Sequence, residues 1–296
     1  MPPDLRAALE RAIAAATGGG FRIERIAAAG GGCIHRALVL AGTRARYFAK
    51  LNEARFADAF AAEADGLAAL SAAGIRSPGV VAYGTAAGSA YLVLEHLALG
   101  RGGDPDYRAL GRALARVHAQ AGERFGWHRD NYIGATPQRN RSADAWIAFW
   151  RDERLVPQLA LAAGRGFGAE LLRLGEALRA AVPALLAGHA PAPALLHGDL
   201  WSGNAAFLAD GTPVLFDPAV YHGDREADLA MTELFGGFPA AFYAAYRETA
   251  PLDEGYPLRR TLYNLYHVLN HANLFGGGYA AQAEAMMARL LAEVRG

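Results

Sequence analysis

His197-Gly198-Asp199-Leu200-Trp201-Ser202-Gly203-Asn204 decides the reading of this chain. Its lead is the apolar run Ala194-Leu195-Leu196, which reads as a short buried strand. A second apolar run, Val214-Leu215-Phe216, ends in Asp217. The order is therefore strand, loop carrying Asp199 and Asn204, strand, Asp217. Phosphoryl transfer from ATP needs a carboxylate that orients and deprotonates the attacking hydroxyl. It also needs an amide oxygen and a second carboxylate to hold Mg²⁺ against the phosphates. H-x-D with an Asn five places after the Asp is the spacing of a kinase catalytic loop. Asp217-Pro218 stands where protein kinases have Asp-Phe-Gly. Asp and Asn are also ordinary turn residues. Three of them at this spacing, each at a strand end, favour the chemical reading.

Outward from that loop, lysine is the next signal. Of 29 basic residues other than histidine, only Lys50 is a lysine. A chain this rich in Ala, Gly and Arg exchanges Lys for Arg wherever the exchange is tolerated. Arginine's planar fork does not replace a compact ammonium in a tight site. Lys50 lies on a predicted strand, Tyr47–Leu51. Phe56, Phe60, Glu63, Leu67 and Leu70 follow at steps of four and three, on one helical face. A carboxylate inside that stripe needs a partner, and Lys50 is the lysine on offer. Glu63 at the edge of the stripe, in water, is the plainer alternative.

The rest of the chain fills in around these residues. A helix is predicted over 4–16, then strands over 21–28 and 33–40 around Gly30-Gly31-Gly32. Backbone amides of a glycine turn can approach a phosphate closely, and the same glycines can simply make a hairpin. Strands at 80–84 and 91–94 lead to Glu95-His96-Leu97, whose backbone groups could meet an adenine ring. Strands stop there, and Asp104 opens a helix with Tyr107, Leu110, Leu114 and Val117 on one face. His118 ends that helix and reads as a packed histidine rather than a ligand. Residues 125–140 form a polar, aromatic stretch, either functional or bracing. Helices are predicted over 143–161, 170–186 and 224–235, and again beyond 242. These patterns give an α+β fold with two domains: 1–97, a small lobe of antiparallel sheet and helix, and 98–296, larger and mainly helical.

With 53% hydrophobic residues the chain can fill a core, and with no net charge it offers no basic face to nucleic acid. No apolar run is long enough to span a bilayer. The single cysteine, Cys33, cannot form an internal disulfide. A cytoplasmic protein is expected, as a monomer or a Cys33-linked dimer.

The sequence resembles the fructosamine-3-kinase, or ketosamine-3-kinase, family over nearly its whole length. The resemblance rests on G-G-C-I at 31–34, H-G-D-L-W-S-G-N at 197–204, and F-D-P-A-V-Y-H-G-D-R-E-A-D-L-A-M-T-E-L-F-G-G-F at 216–238. Aminoglycoside phosphotransferases and choline kinases share the H-x-D-x-x-x-x-N core but not the W-S-G of 201–203 or the run at 221–238. The resemblance implies a two-lobed protein-kinase-like fold and transfer of the ATP γ-phosphoryl group to the 3-hydroxyl of a ketosamine. The amine would be a small molecule or a glycated protein side chain, and the reaction would serve deglycation. It implies Asp199 as base, Asn204 and Asp217 on Mg²⁺, and Lys50 with Glu63 on the phosphates. Gly30, Gly31 and Gly32 would complete the nucleotide site, with Glu95, His96 and Leu97 at the base. Trp201 would line the sugar site, and Asp228 would brace the loop of His197 through backbone amides. Cys33 would be a redox-sensitive point. An enzyme for polycationic aminoglycosides would need an acidic groove, of which a neutral chain gives no sign. A nucleotide-binding pseudokinase would have lost the lysine, base or metal residues, and all are present here.

Overall fold

Strand β5 (Ser89–Glu95) is buried on both faces. Tyr91 and Val93 pack into one apolar cluster, while Ala90, Leu92 and Leu94 pack into another. Period-two alternation of an all-apolar strand produces this. The structure is a computed structural model describing residues 1–30 and 34–294. It divides into two compact units, Met1–Asp106 with Gly203–Pro218, and Tyr107–Ser202 with Ala219–Gly296.

In the first unit, β1 (Arg25–Ala28), β2 (Arg36–Ala41), β3 (Arg46–Glu53), β4 (Val80–Ala86) and β5 form one antiparallel sheet, ordered β1-β2-β3-β5-β4. Helix α1 (Pro3–Thr17) covers one face through Leu5, Leu9 and Ile13. It starts with proline at its first position and stops at Gly18, whose φ of 70° closes the helix end. Helix α2 (Ala57–Ala72) covers the other face through Phe60, Ala64 and Leu67. Residues 205–207 and 213–215 return to this unit as an antiparallel hairpin. It is tied to the chain at Arg76, whose carbonyl accepts from Leu215 N, and at Gly100, which exchanges two backbone hydrogen bonds with Phe207.

The second unit is mainly helical. Its helices are α3 (Asp104–His118, which begins in the first unit), α4 (Trp146–Phe149), α5 (Val156–Gly164), α6 (Ala169–Leu185), α7 (Arg225–Leu234), α8 (Ala240–Thr249), α9 (Tyr256–Phe275) and α10 (Tyr279–Glu293). Trp146, Phe149, Trp150, Leu178, Leu196, Leu265 and Met287 belong to its core. Strand 194–196 pairs antiparallel with 221–223.

Element boundaries differ from the sequence pattern where local chemistry intervenes. The first strand begins at Arg25 rather than Phe21, because Phe21 and Ile23 pack into the α1 cluster ahead of the ladder. The stretch 125–140 holds a two-stranded hairpin, 131–133 against 136–138, too short to show alternation. The helix expected over 143–161 starts at Trp146 and passes through a π-helical segment, Trp150–Leu155. That segment carries Arg154, fully buried, with its guanidinium 3.9 Å from the Tyr221 ring centre and 4.7 Å from that of Phe149. Its donors meet Asn140 Oδ1 at 2.7 Å and the Glu153 carbonyl at 3.0 Å. A buried cation thus rests on ring faces and carbonyl dipoles.

Candidate functional site

Alternation on β3 decides where Lys50 points. Ala49 and Leu51 join the α1 side, so Lys50 faces α2, opposite Leu92. Glu63 lies one turn from both Phe60 and Leu67 on the helix that covers that face. Lys50 Nζ donates to Glu63 Oε1 at 2.6 Å and to Asp217 Oδ1 at 2.5 Å. Burial works against the ammonium, but the two carboxylates outweigh it and raise the Lys50 pKa. Burial and the Asp217 charge push Glu63 up to about 7, against the pull of Lys50. Burial is the largest cause of that direction, and the Asp217 charge only adds to it while Lys50 pulls the other way.

Asp217 adopts φ 57°, a left-handed conformation that Asp tolerates better than most residues. Its Oδ2 takes no hydrogen bond among the described residues, and its side chain is 39% exposed. Asn204 is buried at the start of the hairpin, and its carbonyl accepts from Phe216 N. The first unit thus brings Lys50, Glu63, Asn204 and Asp217 onto one connected set of elements. Glu95 commits its carboxylate to Arg76, at 2.6 Å from each oxygen, and to Gly79 N at 3.1 Å. The Glu95 amide is committed as well, donating to the Gly79 carbonyl at 2.8 Å. Gly30 precedes residues 31–33; the expectations for Gly31, Gly32 and Cys33 lie outside the described residues.

The second unit holds the loop of Asp199. Asp228, on the first turn of α7, accepts His197 N at 2.7 Å and Gly198 N at 2.9 Å. Burial acts to raise its pKa, but His118, His197 and the Gly198 amide hold the carboxyl below its usual range. Gly198 has φ 81°, and a Cβ there would lie 2.1 Å from the Ala219 carbonyl oxygen. Asp199 N donates to His197 Nδ1 at 3.2 Å. Trp201, 38% exposed, stands nearly perpendicular to the Phe235 ring, with ring centres 6.3 Å apart.

Two groups of residues support this loop, the first within the polar stretch 125–140 read as functional or bracing. Asn131 Nδ2 donates to the Val220 carbonyl at 2.7 Å, and Gln138 Nε2 donates to the Ala219 carbonyl at 3.1 Å. The polar stretch 125–140 thereby holds the segment that receives His197, since Ala219 N donates to the His197 carbonyl. Nothing in residue type announces these amides, because their targets are carbonyls distant in sequence. The second is His118, described below. His189, Glu226 and Asp253 also gather, but Arg259 already supplies the cation, meeting Glu226 at 2.6 and 2.9 Å and Asp253 at 2.6 Å.

The profile of the fructosamine kinase family matches residues 5–293. The chain belongs to the fructosamine kinase family. A Synechocystis protein named "Probable ketoamine kinase" is 48% identical over 283 residues, covering 94% of each chain. The chloroplastic protein-ribulosamine 3-kinase of Arabidopsis thaliana is 38% identical, over 90% of this chain and 82% of that protein. A crystal structure of a fructosamine-3-kinase candidate from Haemophilus somnus superposes with a TM-score of 0.89 at 29% identity, covering 96% of both chains. This fructosamine kinase relative thus has the α+β, protein-kinase-like fold. No helix among its described residues is long and apolar enough to cross a membrane.

Proposed function

We propose that this protein is an ATP- and Mg²⁺-dependent ketosamine kinase that phosphorylates the 3-hydroxyl of sugar–amine adducts, in the service of deglycation. The observation that carries the reading is Lys50 held between Glu63 and Asp217, at 2.6 and 2.5 Å, in a member of the fructosamine kinase family. Three donors on one ammonium, two of them already pinned, fix a point charge for the nucleotide phosphates.

In this reading residues 1–97 form the nucleotide-binding lobe and 98–296 the catalytic and substrate lobe. Asp199 accepts the proton of the attacking hydroxyl. Its loop is held by the Asp228 carboxylate, so that the base needs little reorganisation when the substrate arrives. Asn204 and Asp217 fit a hard divalent cation: an amide oxygen and a carboxylate oxygen are the ligand types Mg²⁺ takes. When bound, that ion neutralises charge on the transferred phosphoryl group. Trp201 gives the sugar an exposed ring face beside the base. Residues 95–97 supply backbone groups for adenine. We place the enzyme in the cytoplasm, in keeping with a single cysteine.

The test is ATP consumption with ribulose-, erythrulose- and fructose-lysine adducts, with kanamycin as control. Turnover confined to the ketosamines is the expected result. Turnover of kanamycin alone would move the protein among antibiotic kinases, and nucleotide binding without turnover of any acceptor would make it a scaffold.

A further inference from the structure

Beside the loop of Asp199 a row of polar groups, half-buried at Arg225 and otherwise buried, leads to the Asp228 carboxylate that holds the loop. His118 closes α3, Tyr246 lies on α8, and Arg225 and Asp228 lie on the first turn of α7. His118 and Asp228 are almost wholly buried. The Arg225 guanidinium donates to Tyr246 Oη at 3.2 Å. Tyr246 Oη lies 2.8 Å from His118 Nδ1. His118 Nε2 lies 3.2 Å from Asp228 Oδ2. That same oxygen accepts His197 N, and Oδ1 accepts Gly198 N.

Donor and acceptor capacity gives the row a direction. A guanidinium only donates, so Tyr246 accepts from Arg225 and keeps its one proton for His118 Nδ1. His118 then carries its hydrogen on Nε2. A carboxylate only accepts, so Asp228 needs that hydrogen. We propose that His118 is a positioning residue for the phosphoryl transfer: Arg225 and Tyr246 fix its tautomer, and its Nε2–H holds the carboxylate that pins the amides of His197 and Gly198. The inference rests on the reading of Asp199 as the base. A carboxylate in a dry interior with one donor removed is left partly unpaired and loses a contact that fixes its orientation toward the two amides, and the base two residues along loses its fixed geometry. The nucleotide groups Lys50, Glu63 and Asp217 take no part in the row.

Two variants separate positioning from packing. The side-chain nitrogen of His118→Gln reaches the place of the imidazole Nε2, whereas that of His118→Asn reaches only the place of Nδ1. His118→Asn is expected to lose about tenfold or more in kcat, the worth of a hydrogen bond to a charged group. KM for ATP should stay within about twofold. Amide hydrogen exchange at His197 and Gly198 should speed up. His118→Gln should recover most of both effects at the same melting temperature. Equal losses in the two variants, or unchanged exchange at His197 and Gly198, would overturn the proposal. If neither variant folds, ¹⁵N shifts of the wild-type His118 ring decide it: a proton on Nε2 is required, and a bare Nε2 refutes the arrangement. Exchange and ring shifts need no substrate. A wild type that phosphorylates no ketosamine would therefore count against the proposed function and leave this test standing.

Discussion

Lys50 Nζ sits 2.6 Å from Glu63 Oε1, joining the middle strand of the sheet to the helix that covers it. Both side chains are nearly buried, so neither charge is served by water. Removing one partner strands the other, which costs more than the pair contributes. Lys50→Arg is expected to lower kcat/KM for ATP by about ten- to a hundredfold, because a fork cannot sit between two carboxylates placed for a point charge. Glu63→Gln keeps an acceptor for Lys50 and should lose less. Steady-state kinetics with varied ATP measures both, and normal ATP use by Lys50→Arg would reduce the lone lysine to an accident of composition.

Asp199→Asn preserves shape and removes the carboxylate proposed as the proton acceptor. Turnover should fall by about two to four decades, the scale of general-base catalysis. Nucleotide affinity should hold, since Lys50, Glu63 and Asp217 are untouched. Calorimetric nucleotide binding beside single-turnover phosphorylation separates the two. Near-normal turnover would take the role of base away from Asp199.

The first unit was largely legible because its signals are local. Period two on β3 and β5, and steps of three and four on α2, fix which faces meet, and from those faces follows the contact of Lys50 with Glu63. The contact of Lys50 with Asp217, 167 residues apart, was not legible, because no local pattern around either residue points to the other. What stayed hidden is non-local and polar. Asn131 and Gln138 serve carbonyls more than 80 residues away, and an amide's type says nothing about its target. His118 reads as a packed histidine because burial and an apolar stripe are what sequence shows; its hydrogen bonds depend on how α3, α7 and α8 pack. The π-helical segment was hidden too, since one extra residue per turn leaves no trace in a pattern read at 3.6.

Asp217 combines charge with a left-handed backbone. Asp217→Asn should keep the fold, since asparagine visits that region readily, while Mg²⁺-supported turnover falls by a hundredfold or more, on the order of losing a principal charge-stabilising group. Asp217→Ala should in addition lose about 1–3 kcal/mol of stability for the strained φ. Thermal melts paired with Mg²⁺ titrations of activity check both parts, and equal melting temperatures for the two variants would argue against strain at this residue.

Gly198 leaves no room for a side chain. A Cβ would stand 2.1 Å from a carbonyl oxygen at a φ of 81°. Gly198→Ala should therefore shift the loop or the segment at Ala219, costing at least about 1–3 kcal/mol. Because Asp199 is the next residue, kcat should fall with stability. Urea denaturation and kinetics on one preparation test this, and a variant matching the wild type in both would show that the loop relaxes freely.

His267, on α9, should make the protein sensitive to acid. Burial, helped by the neighbouring His271, brings its pKa down to about 3, from the ordinary value of 6.5. Above pH 6.5 the ring is neutral folded and unfolded, and it costs nothing. As pH falls below 6.5, the unfolded chain takes up a proton that the folded one refuses. Stability then drops by up to about 1.4 kcal/mol per pH unit until the folded value near 3 is reached. His35, brought down to about 4 by burial and then by Lys50, adds the same sign over a narrower window. Glu63, raised by burial, takes up its proton folded before it does unfolded, and so offsets part of this loss between about pH 7 and its ordinary value of 4.5. The expected net result is a chemical-denaturation midpoint that declines from pH 6.5 to 4. His267→Gln, which cannot titrate, should flatten that decline while changing little at pH 7.5. An unchanged slope in His267→Gln would mean that the buried ring finds a proton in the folded state, and that the acid sensitivity lies elsewhere.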